Sequence, residues 1–164
     1  TAVPSIRKLL PNISGRWKEF FEFLIKEKFR VNKAVPVAHK DYNFDDTKSM
    51  KDNNSSGFNP RFIAGTTKPS KHGMGWAIDL NPIQNPYFGG KEKLVAPINP
   101  KEKETSRNFE YYNIDKPGTV TPWIADFLIK RGWTWGLEWY KDENNPRVDI
   151  HHFEKVLGEI PKFE

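Results

Sequence analysis

Two short segments, far apart in the sequence, contain most of the residues that could bind a metal ion. In the first, Ser70-Lys71-His72-Gly73-Met74-Gly75-Trp76-Ala77-Ile78-Asp79, two glycines follow His72 and permit a tight reversal of the backbone before Asp79. An imidazole and a carboxylate seven residues apart can therefore meet at one point. A catalytic zinc ion takes three protein ligands from His, Asp or Glu and keeps a fourth position for water. His72 and Asp79 could supply two of these three ligands.

The second segment is Asp149-Ile150-His151-His152-Phe153-Glu154. One of its two histidines would complete the ligand set, and a nearby carboxylate could act as general base on a water molecule. In a regular strand, residues 149 and 152 point to opposite faces, so a shared site requires a turn or a bulge between them. Spacing alone leaves a second interpretation open, in which both segments are polar turns without a metal.

Two helices are predicted from the spacing of apolar residues. Residues 14–29 have apolar side chains at intervals of three and four, with Ser14 as N-cap. Residues 121–131 repeat the pattern, with Pro122 in the first turn and Trp123 on the buried face. The polar segment 41–59 between the two helices predicts a loop.

Short strands are predicted over residues 61–64 and 76–80, and residues 148–153 are strand-like. In 76–80, Trp76, Ile78 and Leu80 alternate with Ala77 and Asp79. In the second of these strands, Asp79 points away from the apolar face. Residues 83–118 predict a long irregular segment, either a lid over a site or a surface excursion. Helices and short strands without a βαβ rhythm favour an α+β fold, a small antiparallel sheet with flanking helices.

Composition restricts the class of protein. The 164 residues suit one domain spanning 1–164. With 14% aromatic residues, the chain is too rich in large apolar groups to be disordered, and no apolar run reaches the roughly 20 residues of a membrane helix. Because there is no cysteine, the sequence excludes disulfides, cysteine-bound zinc and a thiol nucleophile.

The net charge of +5 indicates attraction to a polyanion. The lysines are scattered singly, and no nucleic-acid recognition motif is present. The charge therefore favours an anionic cell surface over nucleic acid as the partner.

Taken together, the motifs resemble those of the D-alanyl-D-alanine carboxypeptidase family of zinc metallopeptidases, which includes the VanY and VanX enzymes and phage L-alanyl-D-glutamate endopeptidases. Segment 70–79 is similar to the family signature Ser-x-His-x-x-Gly-x-Ala-x-Asp. The other similar blocks, several of them typical of the VanY-like branch, are Phe58-Asn59-Pro60-Arg61, Leu80-Asn81-Pro82, Asn85-Pro86-Tyr87, Gly132-Trp133-Thr134-Trp135-Gly136 with Trp139, and Asp149-Ile150-His151-His152-Phe153-Glu154. All lie in family order within about residues 55–154, which leaves 1–54 as an N-terminal helix and loop. The resemblance implies a fold shared with D-Ala-D-Ala peptidases and Hedgehog domains.

The resemblance also implies roles for single residues. One zinc ion per chain would be bound by His72, Asp79 and His152. Asp149 would be the general base, and Arg61 would bear the developing negative charge or hold a substrate carboxylate. Ser70 would steady the site from outside the ligand set. His151 is a departure from the family pattern, and it is either a pocket-edge or surface residue or a second hydrogen-bond donor to the substrate.

The function implied by the resemblance is hydrolysis of peptidoglycan stem peptides, and the expected reaction is removal of the terminal D-Ala. One alternative is an L-alanyl-D-glutamate-type endopeptidase that acts as a cell-wall lysin. Another is a non-catalytic module on the same fold that binds the cell wall or a protein. We expect an extracytoplasmic protein (periplasmic, wall-bound or secreted) or a phage-encoded lysin. We also expect a monomer with a peptide substrate, without a nucleic-acid partner and without a membrane span.

Overall fold

The structure, a computed structural model, describes residues 15–63, 65–88, 94–96, 112–141 and 147–158. The α-helices in these ranges are α1 (Gly15–Lys26), α2 (Asp46–Lys51) and α3 (Pro122–Ile129). Two 3-10 helices span Lys71–Met74 and Gly136–Lys141. The strands are β1 (Ala77–Asp79), β2 (Tyr87–Phe88), β3 (Leu94–Ala96), β4 (Thr134–Trp135), β5 (Val148–Asp149) and β6 (His152–Glu154). No helix in the described part of the chain has the length and apolar character needed to cross a bilayer.

The strands form two three-stranded sheets, one ordered β1-β6-β4 and the other β3-β2-β5. Every pairing between these strands is antiparallel. In the first sheet, Ile78 lies opposite Phe153 and Asp79 lies opposite His152. The expected α+β fold with antiparallel pairing is confirmed, with two small sheets rather than one.

The core lies on one face of the first sheet. Side chains of a strand alternate between its two faces, so Ile78 and Phe153 both enter the core, where Phe153 stacks on the Trp135 ring at 5.9 Å. Helices α1 and α3 cover this face, and the rings of Phe23 and Phe127 stack between them at 4.2 Å. The same alternation turns Asp79 and His152, the next cross-strand pair, to the opposite face, as expected for Asp79.

Residues 148–153 do not form one continuous strand. Val148 and Asp149 pair with β2, whereas His152 and Phe153 pair with β1 and β4 in the other sheet. The chain turns at Ile150 and His151, and both turn residues are buried. The Ile150 carbonyl accepts a hydrogen bond from the Trp135 indole at 2.8 Å. This is the turn that a site shared by residues 149 and 152 requires.

Three local expectations were wrong. The segment 41–59 is not all loop, because the Asp45 side chain accepts from Lys48 N at 2.9 Å and begins helix α2. Residues 61–63 form only an isolated bridge, Phe62 to Pro69. Trp123 is 61% exposed, and its indole N–H donates to Glu27 at the surface.

Two other expectations fall partly or wholly outside the described residues. The proposed N-cap Ser14 precedes the first described residue, and helix α1 ends at Lys26 rather than at residue 29. Segment 83–118 contains β2 and β3, while its residues 89–93 and 97–111 lie outside the described part of the chain. The structure therefore does not test the lid.

Candidate metal centre

His72 is presented by the 3-10 helix Lys71–Met74. The Ser70 hydroxyl caps this helix by accepting from the backbone N–H of His72 at 3.3 Å. Gly75 ends the helix with φ +65°, a left-handed conformation that glycine adopts without a steric penalty. Ser70 is thus placed where it steadies the ligand backbone, and Gly75 makes the reversal that leads into β1.

The His72 ring has a defined orientation. Its Nδ1–H donates to the Gly57 carbonyl at 2.8 Å, and a carbonyl can only accept. Gly57 follows Ser56, which exchanges two backbone hydrogen bonds with Asp79 along the free edge of β1. The lone pair of Nε2 therefore faces the interior, where Asp79 lies.

His72, Asp79 and His152 bring their side chains to one point. His72 Nε2 lies 3.3 Å from Asp79 Oδ2 and 3.3 Å from His152 Nδ1, and His152 Nδ1 lies 2.9 Å from Asp79 Oδ1. Ligand atoms about 2.0–2.1 Å from a tetrahedral zinc ion lie about 3.3 Å apart. All three residues are buried. The donor set and its spacing fit one zinc ion held by two imidazoles and one carboxylate.

The charges around this point favour a cation. Burial opposes ionisation of the Asp79 carboxyl, but the surrounding imidazoles, above all that of His72, outweigh burial and hold its pKa well below the usual range. Burial also opposes a charge on His152, yet its contacts with Asp79 and Glu154 raise its pKa to about 10. The carboxylates therefore create a negative potential at the position that the three donor atoms surround.

Glu154 orients the His152 ring. His152 Nε2 lies 3.0 Å from Glu154 Oε2, which leaves Nδ1 to face Asp79. Lys71 forms an ion pair with the same carboxylate from the other side. Carboxylates that accept from a metal-binding histidine fix its tautomer and raise its basicity. The sequence reasoning missed this role, although a carboxylate two residues after a ligand shares its strand face.

Asp149 and His151 lie beside the cluster. His151 Nε2 is 2.9 Å from Asp149 Oδ1 and 4.0 Å from Asp79 Oδ2, and the Asp149 side chain is 15% exposed. Burial opposes a charge on His151, but the carboxylates of Asp149 and Asp79 raise its pKa to about 9. The carboxylate of Asp149 thus lies near the ligand cluster while part of it stays accessible.

Arg61 is held away from the three ligand residues. Its guanidinium pairs with Asp46 of α2 at 2.9 Å, and no contact joins its side chain to the cluster in the described part of the chain. Its backbone carbonyl accepts from Ser70 N at 2.9 Å, which keeps its backbone close to the His72 helix. Its buried Nε atom has no hydrogen-bond partner among the described residues. Arg61 therefore flanks the site and keeps one donor free.

Two asparagines that lie next to prolines in the Asn-Pro blocks, Asn81 and Asn85, act as internal supports. Asn81, with φ +41°, donates to the carbonyls of Arg30 and Gly118 and accepts from Asn32 N. Asn85 bonds three carbonyls through Nδ2 and accepts from Val120 N. These amides connect loops that share no strand and so fix the far end of β1.

The tryptophans differ in their surroundings. Trp133 and Trp135 are buried in the core, whereas the partly exposed Trp139 lies with its ring 5.5 Å from the His152 ring. Trp139 therefore lies beside the cluster and contacts His152. The fourth histidine, His39, lies at the surface beside Asp41 and has no part in the site.

A family model described as D-alanyl-D-alanine carboxypeptidase matches residues 64–155. The match covers 92 of the 164 residues, more than half of the chain, and includes His72, Asp79, Asp149 and His152. It begins after Arg61. No curated protein and no solved structure shows significant similarity to the chain.

Proposed function

The chain belongs to the D-alanyl-D-alanine carboxypeptidase family, and from that premise we propose that it is a zinc-dependent peptidase of peptidoglycan stem peptides. The proposed reaction is hydrolysis of the amide bond before a terminal D-Ala. The observation that carries the proposal is the buried triangle of His72, Asp79 and His152, whose donor atoms have the spacing of a tetrahedral metal site.

The residues beside the triangle support hydrolysis. When bound, a zinc ion polarises the scissile carbonyl and lowers the pKa of a water molecule. Asp149 takes a proton from the attacking water while the oxygen of that water bonds to the carbonyl carbon. It then delivers this proton to the departing amine nitrogen as the C–N bond breaks. Arg61 bears negative charge on the carbonyl oxygen or on the substrate carboxylate, a role that requires its guanidinium to leave its ion pair with Asp46.

The surroundings of the site support a peptide substrate and an extracytoplasmic location. Trp139 offers an apolar wall, and Lys71 places a cation at the entrance. The net charge of +5 favours contact with an anionic cell wall. We propose that the protein acts there as a monomer, either as a secreted or periplasmic enzyme or as a phage-encoded lysin.

The metal content of the purified protein is the first test. Wild type should contain about one zinc ion per chain, His72→Ala should contain almost none, and the matched control His39→Ala should keep its zinc, because His39 lies outside the site. A wild type that binds no zinc when the metal is supplied would contradict the proposal and favour a binding module on the same fold.

Digestion of defined muropeptides tests the reaction. Loss of one alanine, seen by mass spectrometry, identifies the carboxypeptidase, whereas cleavage inside the stem identifies the endopeptidase. Asp149→Ala should abolish turnover and still bind zinc, since Asp149 is not one of the three ligand residues. Loss of zinc from this variant would show that Asp149 belongs to the metal site instead.

A further inference from the structure

His151 has a fixed place between the two sheets. It lies in the turn between β5 and β6, directly before the ligand His152, and its side chain is only 3% exposed. Its Nδ1–H donates to the Asn85 carbonyl at 2.6 Å. Asn85 is itself immobilised, because its side chain makes four hydrogen bonds to the surrounding backbone. The imidazole therefore has one orientation.

That orientation places the other ring nitrogen beside Asp149 as an ion-pair contact rather than a hydrogen bond, because Asp149 Oδ1 has no hydrogen-bond partner among the described residues. Nε2 lies 2.9 Å from Asp149 Oδ1 and 4.0 Å from the nearer oxygen of Asp79. The closer contact is thus with the proposed base and not with the ligand. Asp149 also lies at the end of a two-residue strand, where the backbone alone gives little control over its rotamer. A catalytic carboxylate has to stay within about 0.5 Å of its productive position.

We propose that His151 is a positioning residue: it holds the Asp149 carboxylate in place through Nε2, while Asn85 holds the ring through Nδ1. It does not bind the metal and does not contact the substrate. This inference rests on the proposed function, because it assigns a partner to the base of that reaction. It also replaces the two roles that the sequence left open for His151.

A pair of variants separates the two nitrogen contacts. In His151→Gln the side-chain amide reaches the Nε2 position and keeps an N–H beside Asp149 without the charge, whereas in His151→Asn it reaches only the Nδ1 position. We expect His151→Asn to lower kcat about 10- to 100-fold, since a misplacement of about 1 Å can cost 100-fold. KM and zinc content should stay unchanged, and His151→Gln should recover most of the lost kcat. A rise in KM would instead indicate substrate contact, and loss of zinc would indicate action through Asp79; either result would overturn the proposal.

A double-mutant cycle tests whether His151 acts through Asp149. Asp149→Asn, which retains the side-chain shape but not the base, should leave only residual turnover in long incubations, and His151→Asn should not lower this residual turnover further. A further loss as large as that in wild type would refute the positioning role.

The unfolding free energies of the same four proteins separate this proposal from the proposed function. Non-additive values show that the two side chains act together, and additive values overturn the positioning role whether or not the protein hydrolyses peptides. If zinc-loaded wild type showed no turnover but the unfolding free energies were non-additive, the proposed peptidase function would be refuted and the positioning role of His151 would stand.

Discussion

Gly136 is predicted to control the position of the base. A Cβ atom at this position would lie 2.3 Å from the Asp149 backbone oxygen and 2.9 Å from its Cβ. The atoms it meets belong to the Asp149 backbone and its first side-chain carbon, so no rotation of a flexible side chain relieves the clash. To reach an ordinary contact of 3.4 Å, the two segments must separate by about 1 Å.

The expected result for Gly136→Ala is a loss of about 100-fold in kcat, because a shift of about 1 Å at a catalytic group costs this much. The proposed ligands His72 and Asp79 lie on other segments and His152 is held separately in β6, so zinc content should stay near one per chain. Overpacking of this kind also lowers the unfolding free energy by about 1–3 kcal/mol. Steady-state kinetics on a muropeptide, elemental analysis and urea denaturation measure the three effects.

Gly73→Ala is the matched control. Gly73 directly follows a metal ligand, does not adopt a positive φ, and has no atom closer than 3.6 Å to the position of a Cβ. The same one-carbon change should therefore alter kcat less than about threefold. If Gly136→Ala retained the kcat of wild type, the close packing of Gly136 on Asp149 would have no bearing on the reaction, and the reasoning would be refuted.

Three further predictions concern the supports of the site and the core. Glu154→Gln should weaken zinc binding about 10- to 100-fold in a metal-buffer titration, because the neutral amide no longer supports the His152 ring as a carboxylate does; unchanged affinity would contradict this role. Asn81→Ala should lower the unfolding free energy by about 3 kcal/mol or more in urea, since several buried backbone groups lose their partner, and a loss below about 1 kcal/mol would argue against the support. Trp123→Ala should lower the unfolding free energy by at most about 1 kcal/mol, whereas Trp135→Ala should lower it by about 3–5 kcal/mol. Equal losses would show that both rings are buried in the core.

The pattern of residues predicted the parts of the site that depend on local sequence. The alternation around Asp79 indicates correctly which face its carboxylate occupies, and the glycines after His72 indicate the reversal that Gly75 makes. The α+β class was also predictable, because helical and strand-like patterns are both short and mixed. The roles of Asp149 and Arg61 came from the resemblance alone and stay predictions.

Features that depend on contacts between distant residues could not be predicted in the same way. Val148, Asp149, Ile150 and His151 alternate as in one strand, so this pattern does not show that the chain changes sheets at Ile150. Helical periodicity places Trp123 on the apolar face of its helix, but it does not show that the indole N–H donates to Glu27 at the surface. The anchor of His151 is a backbone carbonyl 66 residues away, and a carbonyl has no signature in a sequence.

The turn at Ile150 and His151 connects the two sheets, and each sheet carries different residues of the proposed site. One sheet carries the proposed ligands Asp79 and His152 and the other carries Asp149, and two buried turn residues join them. One residue inserted in this turn would shift Asp149 relative to His152 and would leave the pairing of β1 with β6 unchanged.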